Sequence, residues 1–228
     1  PTGKWDLRAV TDASDMFKGT VLFNQPVSNL FKSADGIDPV VEDISGMFDG
    51  AAAFNQKITD WNLPTAKNAS KMFANNTKYN QWMNTLFATS NDVEDVSGMF
   101  ENSTYNGVLS NWKFFNATNA SNMFKNNPTF NQYIEPMFND ASAKIEDLSG
   151  MFEGAESFNK KLTNWKLTTA VTLKDMFKNS AFNGDIGEWF KTNDKNIPSP
   201  HALKDISGMF SGTSKYGQGT KTIAQKIN

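Results

Sequence analysis

A Met-Phe pair in a fixed context returns eight times along the chain, at Met16, Met47, Met72, Met99, Met123, Met151, Met176 and Met209. The spacings are 31, 25, 27, 24, 28, 25 and 33 residues. Nothing else in the sequence constrains the fold as much. A unit of about 25 residues is too short to bury an apolar face alone, so it must bury that face against its copies. The units alternate in two flavours, which gives a longer echo: "DISGMFDGAAAFNQKITDW" from Asp43 returns as "DVSGMFENSTYNGVLSNW" from Asp95 and "DLSGMFEGAESFNKKLTNW" from Asp147. A shortened copy, "DISGMFSGTSKYGQG", begins at Asp205.

Alignment on the Met shows what each unit requires. The residue six before it is apolar every time (Val41, Ala66, Val93 and Ile145 among them), and so is the residue three before it (Ile44, Ala69, Val96, Leu148). With the Met and the following Phe this makes an i, i+3, i+6, i+7 pattern, which predicts a short helix. Gly50 and Gly154 read as helix stops, and the pairs Glu42-Asp43, Glu94-Asp95 and Glu146-Asp147 as acidic helix starts favoured by the helix dipole. Six or seven residues after most of the Mets comes an aromatic followed by Asn. A short run around one apolar residue follows (Val27, Ile58, Met83, Leu109, Ile134, Leu162, Ile186), and this predicts a brief parallel strand stacked on its copies. A further apolar residue, Trp61, Trp112 or Trp165 in one flavour and Leu30, Leu86, Met137 or Trp189 in the other, turns the chain back.

The expected fold is therefore an α/β repeat solenoid, a leucine-rich-repeat-like right-handed superhelix of about eight coils, spanning 1–228 as a single domain. Strands spaced at about 4.8 Å and helices at about 8–10 Å would curve it with the strands on the concave side. The stretch "KTNDKNIPSPHALKD" from Lys191 reads as a surface insertion between coils.

Composition narrows the function. Lys and Arg total 22 against 24 Asp and Glu, a formal charge of −2, and Arg8 is the single arginine. That balance gives no electrostatic case for nucleic acid, nor for the bidentate phosphate contacts that arginine makes. The absence of cysteine excludes disulfides, thiolate metal sites and cysteine nucleophiles. No apolar run approaches the roughly 18 residues of a membrane span. The opening "PTGKWDL" has neither Met nor a signal peptide and reads as a mature or trimmed fragment.

The string apolar-x-x-apolar-Ser-x-Met-Phe-x5-Phe-Asn-Gln-x-x-Ile-x-x-Trp resembles the 26-residue repeat of bacterial surface proteins, common in mycoplasma surface lipoproteins. That repeat is in turn similar to the BspA-like leucine-rich-repeat variant. The resemblance runs from Trp5 to about Tyr216. The coil holding Leu173-Lys174-Asp175 lacks the Ser and the last coil lacks the Trp. It implies extracellular display, anchorage to a membrane through a segment outside this chain, and adhesion or host interaction, with no catalytic residues.

Individual residues are weighed against that frame. Asn24, Asn55, Asn80, Asn106, Asn131, Asn159 and Asn183 follow the aromatic in seven coils. They are read as an internal ladder whose amides pair turn backbone, in preference to a glycan- or ice-binding row. The repeated Met, Phe and Trp are read as core. His201, the only histidine, stands beside no nucleophile motif, so no enzyme activity is expected. "DGIDPVVED" is oxygen-rich but lacks EF-hand spacing, so neither metal nor cofactor is assigned. One feature does not reduce to the repeat. If strand side chains alternate, the residue before the inward apolar one points outward, and successive coils place Pro26, Lys57, Trp82, Val108, Tyr133, Lys161 and Asp185 there. Trp82, Val108 and Tyr133, with Lys57 and Lys161 at the margins, are the expected ligand-binding stripe. A host or matrix protein is the expected partner, with carbohydrate as the alternative and a ligand-free structural spacer as the third reading.

Overall fold

The computed structural model describes residues 5, 7–33, 36–88, 92–186, 189 and 202–213. His201 and nearly all of the insertion from Lys191 lie outside them. The eight Met-Phe segments stack in chain order. The residue four before each Met forms an isolated parallel bridge to its counterpart, from Asp12 to Asp43, Asn68, Asp95, Asn119, Asp147, Thr172 and finally Asp205. Each of the seven junctions carries four backbone bonds that run from the earlier coil to the later one, the first of them part of the bridge. At the first junction the N–H groups of Ala13, Asp15, Phe17 and Gly19 donate to the carbonyls of Asp43, Ser45, Met47 and Asp49 at 2.7–2.9 Å.

The α/β solenoid expected from the sequence is not what forms. Among the described residues the one helical element is a 3-10 turn, Glu135–Phe138, and no strand or sheet extends beyond single bridges. In place of each expected helix stand overlapping turns, three in the second coil, closed by Met47 donating to Ile44, Asp49 to Gly46 and Ala51 to Phe48 at 2.9–3.3 Å. The cause is backbone sign. The residue before every Met has φ between 54° and 65°, and the residue three after it between 52° and 70°. Left-handed residues cost about 1–2 kcal/mol each for ordinary side chains and cannot continue a right-handed helix. Glycine, Asn and Asp hold fifteen of these sixteen positions, with Lys71 the exception.

The two flavours have a steric reason at the position before the Met. Asp15, Lys71, Asn122 and Asp175 alternate with Gly46, Gly98, Gly150 and Gly208. A Cβ on Gly46 would collide with the Asp15 carboxylate, and one on Gly150 with the Asn122 amide oxygen. A side chain in one coil thus lies over a bare backbone in the next.

The acidic pairs also serve another purpose than helix starts. Asp43, Asp95 and Asp147 each accept the N–H of the Ser two residues on, at 2.7–2.8 Å. This Asx turn uses the same side-chain chemistry as a helix N-cap, which is why the sequence pattern resembles one. Glu42 instead reaches across a coil to Lys67 at 2.9 Å.

The apolar positions are buried as the periodicity requires, although the backbone that buries them is different. Val41, Ile44, Met47 and Phe48 are all fully buried. The Phe after each Met forms a continuous column, Phe17 to Phe48, Phe73, Phe100, Phe124, Phe152, Phe177 and Phe210, with ring centroids 5.4–5.9 Å apart. The second aromatic of each coil stacks on the first at 3.8–4.4 Å. Each buried ring contributes on the order of 1.5–3 kcal/mol. Without a helical layer there is no mismatch of spacings, and the expected concave strand face loses its basis.

Candidate functional site

The expected strand around Ile58, Met83 and Ile134 is replaced by a run whose cross-coil bonds come from side chains. The N–H of Asn55 donates to Asn24 Oδ1, that of Asn80 to Asn55, that of Asn106 to Asn80, and so on to Asn183 on Asn159, at 2.8–3.1 Å. An amide oxygen takes the place of a backbone carbonyl, so coils are linked here without a sheet. These asparagines are half-buried or exposed rather than internal. Gln81 and Gln132 brace the row, donating to Asn55 Oδ1 and Asn106 Oδ1 at 3.0 Å.

That bracing fixes the base of the outward row. Trp82 is 48% exposed, Val108 42% and Tyr133 48%, while the neighbours Ile58, Met83, Leu109 and Ile134 are buried. Lys57 and Lys161 are exposed on either side, and Pro26 and Asp185 continue the row outward. The alternation of in and out therefore holds locally without a strand. Trp82 and Tyr133 stand two coil steps apart, on the order of 10 Å. The Tyr133 hydroxyl lies 3.2 Å from Glu135 Oε2. Glu135 is buried, and its Oε1 accepts the Asn164 N–H at 3.0 Å. Partial burial, then the bond to Glu135, push the Tyr133 hydroxyl above its usual range. One ring of the stripe is thus oriented, and its hydroxyl is committed.

Two polar rows escaped the sequence reading. On the surface, Asn75 donates to Asp49, Asn102 to Asn75 and Asn126 to Asn102 at 2.7–3.1 Å. In the interior, fully buried Asn76 and Asn127 pair the corner backbone, Asn127 donating to the Tyr105 carbonyl and accepting from the N–H of Phe130. Their signal was present in the sequence: a small or polar residue always stands four after the Met.

Asp38, within the oxygen-rich stretch, accepts from Ser33 and Asn62 and so serves as a local tie. Among the described residues no three His, Cys, Asp or Glu side chains gather as a metal site would need. None of their helices is long and apolar enough to cross a membrane.

A family model described as "Mycoplasma protein of unknown function, DUF285" matches residues 1–104, 38–137 and 138–224. The match supports the mycoplasma-type side of the resemblance and not the BspA-like leucine-rich-repeat side. No curated protein and no solved structure matches the chain.

Proposed function

The chain belongs to that Mycoplasma family of unknown function, and from this premise we propose that it is a non-catalytic interaction domain of a surface protein, binding a protein partner through Trp82, Val108 and Tyr133. One observation carries the reading. Three successive coils hold large apolar side chains 42–48% exposed at a position that Lys or Asp occupies in coils on either side. Among the described residues every other ring except Trp5, near the start of the chain, is buried or half-buried, so the exposed rings of the stripe are not forced by the repeat. Aromatic side chains on a braced base with a charged rim are the usual anchors of protein interfaces. Lys57 and Lys161 favour a partner with acidic groups flanking an apolar patch.

The test compares Trp82→Ala and Tyr133→Ala with the parent protein for capture of proteins from a host-surface extract, with melting temperature as the control. The expected outcome is a loss of about 2 kcal/mol, roughly 30-fold in affinity, with the fold intact. Unchanged capture overturns the stripe as the contact. Binding to a glycan array in place of proteins, abolished by the same variants, would assign the stripe to carbohydrate. For the absence of catalysis, a broad hydrolase screen is the check, and any turnover lost in His201→Ala overturns it.

A further inference from the structure

The middle coil of the exposed row departs from its neighbours. Gln81-Trp82 and Gln132-Tyr133 stand on either side, and the coil between them carries Gly107 and Val108 at the same positions. Both rings and Val108 are exposed. Gly107 has no side chain to raise the floor, and a Cβ there would run into the buried Tyr105 hydroxyl. Two aromatic walls two coil steps apart, roughly 10 Å, thus flank a shallow notch. The asparagine row runs along its edge. The Oδ1 atoms of Asn80, Asn106 and Asn131 each accept the N–H of the next coil. Asn80 is exposed and the other two are half-buried, and their Nδ2 groups have no partner among the described residues. The notch therefore offers one hydrogen-bond donor per coil beside apolar surface, with Lys57 and Lys161 beyond its two ends.

Resting on the reading that this row contacts a protein, we infer that the notch takes a proline-rich segment of the partner in the polyproline II conformation, with an acidic residue on each side. Spacing and hydrogen bonding together select that form. Every third residue of a polyproline II helix returns to the same face after about 9.3 Å, so prolines three apart meet Trp82 and Tyr133 and straddle Val108. Same-face residues of a β-strand recur at about 6.6–6.8 Å, which fits neither one coil step nor two. An α-helix could set anchors seven residues apart at about 10.5 Å. Its carbonyls are already paired within it, however, and the asparagine donors would be covered without an acceptor. A polyproline II segment has no internal hydrogen bonds, so its carbonyls are available to those donors. It is also ordered before it docks, which lowers the cost of binding. Lys57 and Lys161 stand four coil steps apart, about 19 Å, a span that six residues of the segment cover at about 3.1 Å each. Acidic residues just outside the two prolines therefore reach the two lysines.

The test uses two fluorophore-labelled synthetic peptides titrated with the full chain and followed by anisotropy. One carries prolines at every third position and a glutamate at each end. The other has the prolines replaced by alanine, which favours a helix. The proline peptide is expected to bind at least tenfold more tightly, and to lose at least tenfold in Trp82→Ala and in Tyr133→Ala. Val108→Trp, at an exposed site, should fill the notch and abolish binding with an unchanged melting temperature. Asn106→Asp keeps the oxygen that holds the Asn131 N–H but removes the donor, and should also weaken the peptide with the fold intact. Salt should weaken binding in the parent more than in a Lys57→Gln, Lys161→Gln double variant. No binding of the proline peptide up to millimolar concentration, or equal or tighter binding of the alanine peptide, overturns the inference. If that happens while proteins of a host-surface extract are still captured through Trp82 and Tyr133, only the polyproline assignment falls. If their capture is also indifferent to those two substitutions, the reading of the row as a protein contact falls with it.

Discussion

The indole Nε1 of Trp112 donates to the main-chain carbonyl of Met83 at 3.0 Å, one coil below. Trp61 makes the same bond to Val27, Trp165 to Ile134 and Trp189 to Leu162, at 2.6–3.4 Å. Each tryptophan therefore fills core volume and also ties its coil to the one below, adding a second donor to a carbonyl that already accepts the N–H three residues on at 3.0–3.2 Å. Trp112→Phe keeps most of the apolar contact and removes this cross-coil bond, while the Met83 carbonyl keeps the N–H of Leu86 at 3.0 Å. It is expected to cost about 0.5–1.5 kcal/mol on top of the lost volume. A denaturant midpoint equal to that of the parent would contradict this role.

The phenylalanine column makes stability depend on position. Phe100 and Phe152 are fully buried with a stacked ring on each side. Phe210 is half-buried and stacks on Phe177. Phe100→Ala and Phe152→Ala should each cost about 3–5 kcal/mol, and Phe210→Ala clearly less. Chemical denaturation of the three variants is the measurement, and equal losses would contradict a stack in which each coil depends on its neighbours.

Tyr79 and Tyr105 bring phenolic hydroxyls into the second aromatic column, where both are buried without a partner. Tyr105→Phe should stabilise the fold by about 1 kcal/mol, because it removes an unpaid desolvation. Burial raises both hydroxyls well above the usual 10.0. A raised value means the folded state holds its proton while the unfolded chain gives it up. The contribution is therefore complete below pH 10 and is lost as pH rises past it. Unfolding midpoints across that range should fall more steeply for the parent than for a Tyr79→Phe, Tyr105→Phe double variant.

At the acid end Glu153 is the informative residue. Partial burial raises its carboxyl, but Lys125 at 2.9 Å and Lys178 at 3.3 Å outweigh this and hold it below the usual 4.5. A lowered value gives stability that is present above pH 4.5 and lost as pH falls through the folded value. Because solvent screens the cluster, Glu153→Gln should cost no more than about 1 kcal/mol at neutral pH. The gap between variant and parent should close on acidification. A gap that persists in acid would mean the residue acts through packing.

Gly150 tests the alternation of coils. Its φ is 59°, and an added Cβ would meet the Asn122 amide. Gly150→Ala should destabilise by about 1–2 kcal/mol from the backbone alone. Gly150→Asn lowers the backbone cost but keeps the collision and adds bulk against Asn122, so it should cost at least as much in the same denaturation series.

The sequence by itself determined the number of units, their stacking partners and the set of residues that go inside. Met47, Phe48, Ile44 and Val41 recur at fixed offsets, and burial follows such offsets whatever backbone connects them. The outward row at Trp82, Val108 and Tyr133 was legible for the same reason, since it needs only that neighbours in an extended run face opposite ways. Tertiary structure alone decided the backbone. The offsets i, i+3, i+6, i+7 suit one face of a helix and equally suit overlapping turns, because apolar periodicity reports which side is buried and says nothing about where the N–H groups point. Two residues per coil settle that question, the one before the Met and the one three after it. Their Gly, Asn and Asp reverse the sign of φ, turn the donors out of the coil and aim them at the carbonyls of the next. A left-handed residue is affordable only when a neighbouring coil accepts those bonds, so the turn and the stack form together or not at all.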